Sequence, residues 1–179
     1  FFAGIPRRIG YDTKGRGAFL TCRIKTPDER KTHRLDYYLN VVESFGVAVT
    51  DRTSLLMVDI KVEKEMRDTL RRYGVGEKDF LIVIHPGGNW DLKRWPVRHF
   101  SLLIEQLMKE GKCKVVISGS RQDMALVETI ISGSSHKPVV LAGKIDLKEL
   151  MALMKRANCV GSADSGPLHI ASSVGSAAV

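Results

Sequence analysis

The sequence is short of the features that mark secreted, membrane-spanning and metal-clustered proteins. Only three cysteines occur in 179 residues, and Cys22, Cys113 and Cys159 lie far apart. An odd, scattered set excludes a disulfide framework and a Cys-x-x-Cys metal or redox site, and a reducing, cytosolic setting follows as the default. No apolar run approaches the length needed to cross a bilayer, and no signal-peptide pattern opens the chain, so any membrane association is expected to be peripheral. The five histidines, His33, His85, His99, His136 and His169, show no His-x-x-x-His spacing, so no metal site is expected. Missing too are the Gly-x-x-x-x-Gly-Lys-Ser/Thr phosphate loop and a Gly-x-Gly-x-x-Gly after a strand, which removes the usual signatures of ATPases and dinucleotide dehydrogenases. The Gly-x-Ser-x-Gly elbow of α/β-hydrolases is absent as well.

Positive charge is what the chain has in excess, and it is unevenly placed. The formal net charge is +8. Residues 1–35 hold nine Lys/Arg, from Arg7 to Arg34, against the three acids Asp12, Asp28 and Glu29, so +6 of the +8 falls there. Such a segment suits an anionic partner, whether a phosphorylated glycolipid, an anionic membrane surface or nucleic acid, and it equally suits a solvated surface. The chain opens on Phe1-Phe2-Ala3-Gly4 without an initiating Met and stops inside the apolar run Ser176-Ala177-Ala178-Val179. The expectation is therefore a piece of a longer protein.

From residue 80 onward, short apolar runs alternate with longer amphipathic ones, the pattern of a parallel sheet covered by helices. Phe80–Ile84, Lys114–Ile117, Val139–Leu141 and Cys159–Ser162 read as strands, with a fifth beginning at Ala177. Between them, Phe100, Leu103, Ile104, Leu107 and Met108 recur at helical spacing after Pro96, and Met124, Val127, Ile130 and Ile131 do the same. Asp146 with Glu149 makes a capping box for a helix bearing Leu147, Leu150, Met151 and Met154. The order predicts a doubly wound α/β domain whose ligands gather at the carboxyl ends of the strands, in the loops 85–95, 118–121, 142–145 and 163–167. Earlier in the chain, Ile9–Tyr11 and Ala18–Thr21 read as strand pieces, and Leu35–Phe45 and Glu63–Tyr73 as helices. The turn Gly74-Val75-Gly76 reads as the junction before the α/β domain.

Two of the loops carry chemistry. In His85-Pro86-Gly87-Gly88-Asn89-Trp90-Asp91-Leu92-Lys93-Arg94-Trp95-Pro96, glycines let a phosphate approach the backbone, a helix start favours anions, and Lys93 or Arg94 can neutralise phosphate charge. Glycine also ends strands for steric reasons alone, and the two tryptophans equally suit packing at a sheet edge. In Asp164-Ser165-Gly166-Pro167-Leu168-His169, the N–H groups of Ser165 and Gly166 and the Ser165 hydroxyl would face a phosphate, while Asp164 could accept from sugar hydroxyls. The same Asp164 suits a helix N-cap, and His169 a core hydrogen bond.

At these loops the sequence resembles family 9 glycosyltransferases, particularly the ADP-heptose heptosyltransferases of the lipopolysaccharide inner core. The matching stretches are Phe2–Tyr11, Pro86-Gly87-Gly88 with Lys93-Arg94-Trp95-Pro96, Leu141-Ala142-Gly143, and Asp164–Ala171, in an order and spacing that match over nearly the whole chain. The resemblance implies a GT-B architecture of two Rossmann-like domains. Residues 1–73 would be the C-terminal part of the acceptor-binding domain plus the interdomain segment, and 74–179 the nucleotide-sugar donor domain, truncated at its C-terminus. It also implies that Lys93 holds the donor phosphates and stabilises the leaving group, with Gly87 and Gly88 beside it, and that Asp164, Ser165, Gly166 and His169 contact sugar and phosphate.

The implied reaction is an inverting, metal-independent transfer of a heptose or related sugar from a nucleotide-sugar to a lipopolysaccharide core or other lipid-linked acceptor. No cofactor is expected, since the nucleotide-sugar is a substrate, and nucleic acid is not an expected partner. The family's proposed general base, an Asp in a Gly-rich loop near the true N-terminus, has no counterpart in residues 1–179, so this piece alone is expected to be inactive. The expected setting is the cytoplasm, at the inner face of the inner membrane. A GT-B-like sugar-nucleotide epimerase would use the same donor domain, and a basic nucleic-acid-binding domain is the non-enzymatic alternative. Against the latter, the charge lies mainly outside the α/β unit and no recognised nucleic-acid motif is present.

Overall fold

The computed structural model describes residues 4–28, 30–88, 90 and 94–179. The chain divides into two compact units, Phe1–Thr53 and Ser54–Val179.

In the first unit, β1 (Ile9–Tyr11) and β2 (Cys22–Ile24) pair in parallel, with Ile9 opposite Cys22, and α1 spans Arg34–Glu43. The expected strand at 18–21 is replaced by a 3-10 turn over Arg16–Phe19, and the second strand begins at Cys22. Two glycines flank that turn's start: Gly15 takes a left-handed φ of 74°, and a Cβ on Gly17 would collide with the Asp12 carboxylate. Period-2 reading of an apolar triplet could not anticipate this local bend. Tyr11 ties β1 to α1: its hydroxyl donates to the Tyr37 carbonyl at 2.6 Å and accepts from Asn40 Nδ2 at 2.8 Å. Arg52 bridges Asp36 at 2.6 Å and Glu43 at 2.5 Å along the exposed face of the same helix.

The second unit contains α2 (Ile60–Arg72), β3 (Leu81–His85), α3 (Val97–Lys109), β4 (Lys114–Ile117), α4 (Met124–Ser132), β5 (Val139–Val140), α5 (Leu147–Arg156), β6 (Cys159–Ser162), α6 (Gly166–Ser173) and β7 (Ala177–Ala178). Its sheet has the order β5-β4-β3-β6-β7, with every pairing parallel. Counted within the unit, that is 3-2-1-4-5, the order of a Rossmann-like doubly wound sheet.

Alternation along the central strands builds two cores. Val83 and Val116 join Met66, Leu70, Leu153, Met154 and Ala171 on one face, while Ile84, Val115 and Ile117 join Phe100, Ile104, Val127 and Ile130 on the other. Helices α2, α5 and α6 thus cover one face and α3 and α4 the other, which is why strands buried on both sides read as continuous apolar runs. Helix α2 belongs to this unit through Met66 and Leu70, so the unit reaches N-terminal of the Gly74 turn, whose glycine has φ +76°.

The helix starts follow local chemistry. Asp146 accepts from Glu149 N at 2.8 Å while Glu149 accepts from Asp146 N at 2.8 Å, the reciprocal capping box read from the sequence. Pro96 occupies the N-cap of α3, directly before its first residue, Val97. Among the described residues, no helix is long and apolar enough to cross a membrane.

Candidate functional site

Strands β3 and β6 are neighbours, with His85 opposite Ser162. The chain leaves β3 toward α3 on one face of the sheet and leaves β6 toward α6 on the other. The two loops diverge, and the crevice outside them is where doubly wound folds bind ligands. A cavity of about 860 Å³ occupies it, within the range of small-molecule sites. Its walls come from four of the five strand ends: Gly87, Gly88, Trp90 and Arg94 after β3, Gly119, Ser120 and Asp123 after β4, Ile145, Asp146, Leu147 and Leu150 after β5, and Asp164 to Pro167 after β6.

The glycine loop is fixed by close packing. A Cβ on Gly87 would lie 2.6 Å from both Cγ and Oδ1 of Asp123, so the bare Cα rests on that carboxylate. Asp123 is itself anchored, its Oδ2 accepting from Ser120 N at 2.8 Å and from Ser120 Oγ at 2.6 Å. Arg94 reaches back to the loop, donating to the Gly88 carbonyl through Nε at 3.1 Å and Nη2 at 2.6 Å. This holds a guanidinium at the cavity wall, a planar charge suited to phosphate or carboxylate.

His85, at the end of β3, is buried and lines the cavity floor. Its Nδ1 lies 3.0 Å from Ser118 Oγ. Burial pushes its pKa below the ordinary histidine value, opposed by the negative charge of Asp123, so the ring is held neutral at physiological pH.

On the far wall, α6 begins with Ser165 as N-cap, Gly166 first in the helix and Pro167 second. This corrects the expectation that Asp164 could cap the helix, since Asp164 precedes the cap. The Ser165 hydroxyl makes no capping bond and instead shares a long hydrogen bond, 3.5 Å, with Ser162 Oγ. A helix start whose N-cap hydroxyl makes no capping bond, together with the Gly166 N–H, is an anion-favouring feature. His169 lies further along α6, exposed, with Nε2 3.9 Å from Asp164 Oδ1, and it does not line the cavity. Of the expected site residues, the structure brings together Gly87, Gly88, Asp164, Ser165 and Gly166. Lys93 lies outside the described residues. Among those described, no group of three His, Cys, Asp or Glu side chains is placed to hold a metal ion.

The family model of glycosyltransferase family 9 (heptosyltransferase) matches residues 1–179. The chain belongs to glycosyltransferase family 9. Among family relatives, it is 37% identical over 147 residues to lipopolysaccharide heptosyltransferase 3 of Escherichia coli K12, covering 80% of this chain and 42% of that protein. It is 27% identical over 183 residues to lipopolysaccharide heptosyltransferase 2 of the same strain, covering 97% of this chain and 52% of the relative. The chain thus spans about half the length of the curated relatives it matches. Of solved structures, a family 9 glycosyl transferase from Veillonella parvula superposes with a TM-score of 0.86 at 27% identity, covering 97% of this chain and 49% of the other. The E. coli ADP-heptose lps heptosyltransferase II gives 0.81 at 22% identity, over 99% and 56%, a likeness of fold. The fold is accordingly the α/β GT-B type of family 9, with a Rossmann-like doubly wound sheet.

His85, Ser118, Asp123, Ile145, Asp146, Leu147 and Leu150 escaped the sequence-based selection of site residues. The one available signal was position: each falls in or just beyond a loop following a strand.

Proposed function

We propose that the protein transfers a heptose or related sugar from a nucleotide-sugar, ADP-heptose, to a lipopolysaccharide core acceptor, with inversion at the anomeric carbon. The observation supporting this reading is the switch-point cavity, where the Gly87–Gly88 turn, the Arg94 guanidinium and the start of α6 meet in a family 9 chain.

In the reaction, an acceptor hydroxyl attacks the anomeric carbon, its proton passes to a general base, and the bond to the nucleoside diphosphate breaks. Negative charge builds on the departing diphosphate. Fixed donors oriented toward that charge stabilise it without reorganising. The start of α6 at Ser165 and Gly166 is assigned this role, together with Lys93, whose part rests on the family resemblance. Asp164 is assigned to the sugar hydroxyls and His169 to the edge of the donor site. The basic first unit is assigned to the acceptor side, where a phosphorylated lipid core or an anionic membrane surface would meet it. The reaction is proposed to need no metal.

The test is transfer by the full-length protein, in the presence of EDTA, from ADP-heptose to a heptose-deficient lipopolysaccharide core, followed by mass spectrometry and NMR of the product. Transfer with inverted configuration is expected, and Lys93→Ala should cost about 1.5–3 kcal/mol in donor use, the scale of a charge-assisted hydrogen bond. A strict requirement for Mg²⁺, or unchanged donor kinetics in Lys93→Ala, would contradict the respective assignments.

A further inference from the structure

His85 is 7% exposed, yet it lines the cavity beneath the Gly87–Gly88 turn. One ring nitrogen, Nδ1, is engaged by Ser118 Oγ at 3.0 Å, while Nε2 makes no hydrogen bond with any described residue. Ser118 is fully buried, and the imidazole is the one partner its hydroxyl has among the described residues. That decides the direction of the bond. If Nδ1 carried the proton, the serine hydrogen would be buried without an acceptor, at a cost of about 1–3 kcal/mol. The satisfied arrangement has Ser118 donating to Nδ1, which leaves the proton on Nε2. Asp123 is the carboxylate closest in electrostatic effect on the ring, and it is already engaged by Ser120. The result is a neutral, pre-oriented donor on the cavity floor, at the end of the central strand where the phosphates of a bound nucleotide belong.

We infer that His85 is a substrate-contacting residue of the donor cavity, its Nε2–H donating to an oxygen of the nucleotide diphosphate. This rests on the reading of the cavity as a nucleotide-sugar site. Ser118 is then a positioning residue, fixing the tautomer without touching the ligand. A neutral donor binds a phosphate oxygen without the desolvation cost of burying a second full positive charge beside Arg94.

The test is ¹⁵N NMR of histidine-labelled chain titrated with ADP, paired with calorimetry of His85→Leu and His85→Gln. The free chain should show His85 as the neutral Nε2–H tautomer, and ADP should shift that nitrogen. His85→Leu should weaken ADP about ten- to a hundredfold, the range for a hydrogen bond to a charged group. His85→Gln, which keeps a donor of similar reach, should retain most of the affinity. Unchanged His85 ring resonances at saturating ADP, or undiminished affinity in His85→Leu, would overturn the inference alone. A wild-type chain that fails to bind ADP would overturn both the cavity reading and the inference.

Discussion

Replacing Gly87 by alanine adds a methyl where the structure has no room. The new Cβ would stand 2.6 Å from Asp123 Cγ and Oδ1 and 2.7 Å from Oδ2. The problem is steric rather than conformational, because Gly87 is not among the glycines with positive φ. Asp123 is short, and it cannot swing aside without giving up its bonds from Ser120 N at 2.8 Å and Ser120 Oγ at 2.6 Å. Overpacking against an anchored group costs about 1–3 kcal/mol. Gly88→Ala is the control, since a Cβ there meets nothing within 4 Å. Asp123→Ala alone should destabilise by about 1 kcal/mol through loss of its capping interactions. In the double variant the clash is gone, so the two effects should be sub-additive by at least about 1 kcal/mol. Urea titrations of the four proteins measure this. A Gly87→Ala as mild as Gly88→Ala, or simple additivity of Gly87→Ala with Asp123→Ala, would refute the steric clash.

Three further outcomes are expected. Hydrogen bonds from Ser135, Ser134 and His136 lower the Glu105 pKa from 4.5 to about 2. The folded-state value is depressed, so this stabilisation is present above 4.5 and fades as pH falls toward about 2, and Glu105→Gln should flatten acid unfolding in that window. Equal acid sensitivity of wild type and variant would contradict this. Asp146→Ala removes one half of a capping box and should lower stability by about 0.5–2 kcal/mol in chemical denaturation. Asp164→Asn should reduce sugar transfer while leaving ADP affinity nearly intact, because Ser165 rather than Asp164 caps α6. Parallel loss of both would instead place Asp164 on the nucleotide.

The second unit was readable from its sequence because the strands are buried on both faces and the helices on one. Runs such as Leu81–Ile84 and Val115–Ile117, separated by amphipathic helices, admit few other arrangements. The capping box at Asp146 is local and so was legible, as were the loops that line the cavity. What escaped depends on juxtaposition across the sheet. The contact of Gly87 with Asp123, and of His85 with Ser118, arises from the parallel pairing of β3 with β4, which brings Ile84 opposite Ile117. Spacing along the chain carries no trace of which carboxylate will face which glycine. The first unit was harder for the opposite reason: its strands are three residues each, too short for period-2 patterning to distinguish Ala18–Thr21 from Cys22–Ile24. The choice of cap for α6 turned on a single residue, where Asp and Ser are chemically near-equivalent.

The central question is whether the crevice between the ends of β3 and β6 holds the activated donor. Amide chemical-shift mapping of the chain titrated with ADP tests this directly. Saturable binding is expected, with the largest shifts at Gly87, Gly88, Ser165 and Gly166, which line the cavity on either side of the switch point. Shifts confined to the first unit, or no shift at these four amides under saturating ADP, would contradict it.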